Sequence, residues 1–200
     1  MNAPFRSLRS PIAVLPTENI DTDQIYPGRF LTVTTRVGLG EKLFADWRYD
    51  REGRPRPDFA LNRPESAGAQ ILVAGRNFGC GSSREHAVWA LAGAGFRAVI
   101  STSIADIFRR NALKNGVLPV VIEKDAQAAL VAAPGATVEI DLAACRVTLP
   151  GGVQVPFSIE PFARFCLMEG LDELQVLLKR ESEIAAYERA ARPPLLVSEA

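Results

Sequence analysis

The sequence predicts an α/β fold in which parallel βαβ units are followed by a short-strand meander and a closing C-terminal helix. Three observations carry this expectation. Residues 70–74, 97–101 and 118–122 are brief apolar runs, too short for helices, and read as buried strands. Between them, residues 85–94 and 104–114 carry helical patterns, so strand and helix alternate as in parallel units. From residue 137 the rhythm changes to short strands at 137–142, 145–149 and 153–157, punctuated by turn formers such as Pro150-Gly151-Gly152.

In chain order, Ile12-Ala13-Val14-Leu15 opens as a strand and leads into residues 19–28, dense in acids and turn formers. Asp21, Thr22 and Asp23 invite a calcium loop, but the glycine and glutamate that an EF-hand requires further along are missing. Residues from about 46 to 68 turn to Arg, Pro, Asp and Gly, with Trp47, Tyr49 and Phe59 scattered among them. Such a long connection is either a contact surface or disordered, and the aromatics favour docking. A closing helix is expected around Leu171, Leu174, Leu178 and Ile184, before a tail at about 191–200, with Pro193 and Pro194, that should fray. The 200 residues read as a single domain, and 48% hydrophobic content suffices for a sizeable core.

Composition excludes several functions. The 23 basic and 23 acidic residues balance, with no basic run, which argues against a nucleic-acid partner. No apolar segment is long enough for a bilayer and no leader pattern opens the chain, so a soluble, cytoplasmic protein without a membrane partner is expected. Cys80, Cys145 and Cys166 are widely spaced and His86 is the single histidine, so neither a disulfide framework nor a metal site is predicted, and no cofactor bound by this chain. Cys80 is either a reactive thiol at a helix start or a small packed residue.

The chemistry concentrates in Gly79-Cys80-Gly81-Ser82-Ser83-Arg84-Glu85-His86. A glycine-lined turn that opens a helix presents unpaired N–H groups and a positive dipole end, which suits a carboxylate or phosphate. Ser82 with Glu85 three residues on also forms a capping-box pattern, which starts helices without any catalysis. Ser83, Arg84 and the small residues around them exceed what a cap needs. His86 is expected as a structural hydrogen-bonder, with Trp89 and Leu91 in the core.

The run from Asn77 to Ala87, together with Asp21-Thr22-Asp23-Gln24-Ile25, Ala105-Asp106-Ile107-Phe108 and Gly170-Leu171-Asp172, resembles the small-subunit family of isopropylmalate isomerases, a branch of the aconitase superfamily. The resemblance spans nearly the whole chain. It implies a swivelling β/β/α domain of the aconitase C-terminal type that docks on a large subunit carrying a [4Fe–4S] cluster, whose iron acts as a Lewis acid toward the substrate hydroxyl. It also implies a small dicarboxylic acid substrate in leucine biosynthesis, isomerised by loss and re-addition of water. By the same resemblance Ser82 is the catalytic base and Ser83 and Arg84 bind substrate carboxylate. Arg36 is the second substrate arginine, with Arg29 as the alternative, and Asp23 orients the serine. A serine base requires preorganised donors that stabilise its alkoxide. Ile25, Tyr26, Phe30, Leu31 and Val33 are expected to wall an isopropyl group. Related subunits acting on homoaconitate, citraconate or a dimethylated malate share the same core motif. A non-catalytic anion or nucleotide module is the alternative of a different class, although the turn lacks a P-loop lysine and a dinucleotide fingerprint.

Overall fold

The computed structural model describes residues 3–32 and 35–191. The tail at 192–200, with Pro193 and Pro194, and Val33 of the expected substrate wall lie outside the described residues.

The parallel units and the meander share one seven-stranded sheet, ordered β4-β3-β2-β1-β5-β6-β7. Its strands are β1 (Ser7–Leu15), β2 (Ile71–Ala74), β3 (Ala98–Ser101), β4 (Leu118–Val121), β5 (Thr137–Asp141), β6 (Arg146–Thr148) and β7 (Gln154–Pro156). The first strand is longer than its apolar run because it serves both halves. Residues 12–15 pair in parallel with β2, whereas residues 7–11 pair antiparallel with β5. Pro11, with no N–H to donate, sits at the changeover.

Alternate side chains of the parallel strands feed two cores. Leu72, Ala74 and Val99 pack with Ile20, Ile25, Phe78, Leu91 and Phe108 on one face. Ile71, Val73 and Ile100 pack with Leu130, Ile140, Val147 and Leu167 on the other.

The helices are α1 (Thr22–Ile25), α2 (Ala45–Arg48), α3 (Glu85–Gly93), α4 (Asp106–Lys114), α5 (Lys124–Val131), α6 (Pro161–Glu169), α7 (Glu173–Leu178) and α8 (Glu181–Ala191). The expected single closing helix is three. Gly170 adopts a left-handed φ of 67° and ends α6, and Asp172 then caps α7 through a reciprocal box with Gln175. Leu171 therefore falls in a break rather than on a helical face. Three helices were not foreseen: α1 and α2 are single turns too short to show a period, and α5 has only Leu130 buried.

Residues 46–68 are ordered by their own contacts. Asn62 donates from its amide to the carbonyls of Arg48 and Arg56, and accepts from Arg48 Nε at 2.9 Å. Phe44, Trp47 and Phe59 form a ring cluster, and Trp47 and Phe59 lie half-buried against the chain's own core. No described helix is long and apolar enough to cross a membrane.

Candidate active site

Strand β2 delivers the chain to a turn that two glycines make possible. Gly79 and Gly81 have φ of 74° and 88°, in the left-handed region that other residues enter at a cost. A Cβ on Gly79 would stand 2.3 Å from Cγ of Phe108, so the turn lies flat on α4. Beyond it, Ser82 and Ser83 are exposed, and Arg84, Glu85 and His86 are half-buried.

The capping-box expectation is corrected. The N-cap of α3 is Arg84, with no side-chain cap, so Ser82 stands two residues before the N-cap, outside the helix. Glu85 instead accepts from Asn115 Nδ2 at 2.7 Å, and Asn115 accepts from Trp89 Nε1 at 2.9 Å. Ser82 is thus released from helix building and is exposed.

Asp21, Thr22 and Asp23 hold the turn at alternate residues. Asp21 pairs with Cys80 in a parallel bridge, and it also caps α1 through its box with Gln24. Thr22 donates from its N–H to the Cys80 carbonyl at 2.9 Å, and from Oγ1 to the Ser82 carbonyl at 2.8 Å. Asp23 Oδ1 accepts from Arg84 Nη1 and from the Gly28 N–H at 2.9 Å. The hydrogen bond from Arg84 lowers the Asp23 pKa below the usual carboxylate range; desolvation opposes it, and the Gly28 N–H and the Arg84 charge add to the lowering. Arg84 is the more sheltered partner, its side chain 18% exposed against 55% for Asp23. A sheltered guanidinium held by a carboxylate keeps a fixed fork of donors beside the serines.

The two remaining candidate arginines differ in what holds them. Arg29 forms a two-pronged pair with Asp46, at 2.5 and 3.0 Å. Arg36 is exposed and lies over the Trp89 ring, with no ion pair among the described residues. His86 stacks on Tyr26 at 5.9 Å and meets Trp89 at a tilt, at 4.7 Å between ring centroids. The structure thus ties Arg84 to Asp23 and the Ser82 carbonyl to Thr22, with exposed Ser83 between them in the chain. Arg36 enters only through Trp89 on α3.

The expected apolar wall is smaller than foreseen. Ile25 and Tyr26 are 0% and 1% exposed and belong to the core, leaving half-buried Phe30 and Leu31. Thr22 and Gly28 escaped the sequence reading as site residues. The signal for Thr22 was a neutral hydroxyl between two acids, indistinguishable in sequence from an ordinary turn former. Among the described residues no group of three or more His, Cys, Asp or Glu side chains could hold a metal ion, so these residues do not fit an iron–sulfur cluster.

Fold and turn together define a domain of the aconitase C-terminal type: that family matches residues 3–125, and a family described as LeuD_N matches residues 127–161. The 3-isopropylmalate dehydratase small subunit of Anaeromyxobacter dehalogenans is 61% identical over 189 residues, covering 94% of this chain and 99% of that protein. The small subunit from a Roseiflexus species is 55% identical over 201 residues, covering 98% of each. The crystal structure of a 3-isopropylmalate dehydratase from Methanocaldococcus jannaschii superposes with a TM-score of 0.69 at 29% identity, covering 90% of this chain and 99% of that one. The chain belongs to the family of 3-isopropylmalate dehydratase small subunits.

Proposed function

We propose that this chain is the small subunit of a heteromeric hydro-lyase that interconverts 2-isopropylmalate and 3-isopropylmalate through isopropylmaleate, in leucine biosynthesis. The observation that carries the reading is an exposed Ser82 set beside the braced Arg84–Asp23 pair at the start of α3. Ser82 takes the proton from the carbon next to a substrate carboxylate. Ser83 and Arg84 bind that carboxylate, and their donors stabilise the charge that grows on it as the proton leaves. Arg36 binds the second carboxylate, and Asp23 orients Arg84. The iron–sulfur cluster and the departure of hydroxide belong to the large subunit, which also closes the open face over the turn. A soluble, cytoplasmic enzyme accords with this role.

Purified chain, assayed at the isopropylmaleate absorbance, is expected to be inactive alone and to turn over once the large subunit is added. Full turnover by the isolated chain would overturn the proposal. A substrate panel with homoaconitate, citraconate and dimethylmaleate is expected to rank isopropylmalate first by kcat/KM, and another first rank would reassign the substrate. Tight nucleotide binding by the chain alone, measured by titration calorimetry, would favour the non-catalytic module.

A further inference from the structure

Thr22 is 3% exposed, between neighbours that reach solvent, and its hydroxyl and N–H grip the turn on both sides of Gly81. The peptide from Ser82 to Ser83 is trans, so its C=O and N–H point in opposite directions. Drawing the carbonyl inward onto a buried hydroxyl therefore turns the Ser83 N–H outward, toward the face where both serines are exposed. Among the described residues, the N–H groups of Ser82, Ser83 and Arg84 have no protein acceptor.

We infer that Thr22 is a positioning residue for the reaction, fixing the peptide plane that follows Ser82 so that the base and the Ser83 N–H face the substrate together. This rests on the assignment of Ser82 as base. Thr22 touches neither substrate nor reacting atoms, and it works through the Ser82 carbonyl. Its hydroxyl is the working part, because a valine fills the same space but cannot donate. Serine can.

The experiment compares Thr22→Val, Thr22→Ser and Ser82→Ala in the reconstituted two-subunit enzyme, with kcat, KM, assembly and melting temperature measured for each. Thr22→Val is expected to lose about 10- to 100-fold in kcat, the scale of a displaced reacting group. Its KM should rise by less than kcat falls, about 3-fold at most, since Arg84 still holds the carboxylate when the Ser83 N–H is misplaced. Thr22→Ser should recover most of the lost kcat. If Thr22→Val does not assemble, Thr22→Ala takes its place with the same expectation. Normal kcat in Thr22→Val beside an inactive Ser82→Ala would overturn the inference and leave Ser82 as the base. A Thr22→Ser variant as slow as Thr22→Val would assign the effect to packing and also overturn it. Full turnover by Ser82→Ala would remove the base assignment, and the inference with it.

Discussion

Arg36 lies over the indole of Trp89, its guanidinium carbon 4.9 Å from the ring centroid. Trp89 is one turn along α3 from Glu85, so the ring carries a cation on the helix that the serine turn opens. A stacked arginine keeps its donors available, whereas Arg29 spends two of them on Asp46.

Replacement of each arginine by alanine in the reconstituted enzyme should therefore separate them. Arg36→Ala is expected to raise KM about 10- to 100-fold, the worth of a charge-assisted contact to a carboxylate. Arg29→Ala should change KM by less than about 3-fold, its main loss being an exposed ion pair. The reverse order, read from initial rates, would transfer the role to Arg29.

Asp23 gives a pH prediction. Its native pKa is lowered, first by the Arg84 hydrogen bond, below the value of about 3.9 expected in the unfolded chain. Its stabilising contribution is complete above that unfolded value and is lost as pH falls through the lower native one. Between about pH 5 and 8 the carboxylate stays charged, and the rate profile should show no limb from Asp23. Asp23→Asn is expected to lower kcat/KM by about 10-fold or more, because Arg84 is then free to swing. The melting temperature should barely move, as suits a half-exposed pair.

Two glycines should fail in opposite ways. Gly79→Ala puts a methyl 2.3 Å from Phe108 Cγ in a left-handed residue, and is expected to cost about 3 kcal/mol or more. The melting temperature should fall by about 10 °C, measured by calorimetry. Gly28→Ala puts a methyl 3.0 Å from Asp23 Oδ1 and 3.5 Å from Arg84 Nη1, where it pushes on the pair rather than on the core. It should lower activity while leaving the melting temperature near wild type.

The cysteines should differ in reactivity. Burial, reinforced by the negative charges of Glu173, Glu160 and Asp172, raises the Cys166 pKa. Thiolate is the reactive form, so Cys166 should be the slowest to alkylate. Iodoacetamide followed by mass spectrometry is expected to label half-buried Cys80 and Cys145 first.

The sequence revealed what is periodic and hid what is made by side chains meeting across the fold. The parallel strands were legible because each is a short apolar run buried but for Val121, and the meander because the turn between β6 and β7 is marked by Pro150, Gly151 and Gly152. The amino-terminal half of β1 was not, since Ser7, Arg9, Ser10 and Pro11 show no apolar pattern and become strand only by pairing with β5. At the site, the signature run was visible at once, while its bracing was not. Thr22 and Ser82 are 60 residues apart, and no local pattern reports that they touch. The capping-box motif misled for the same reason: Glu85 is claimed by Asn115, 30 residues away.

The open face above Ser82 bears on how a cell could make this protein. In contact with bulk water, a serine hydroxyl remains an ordinary alcohol, since the solvent that surrounds it also screens the dipoles that would strip its proton. On the proposed role of Ser82, surplus copies lacking the large subunit would be chemically silent, and synthesis of the two chains need not be matched in amount to keep stray deprotonation of other acids in check.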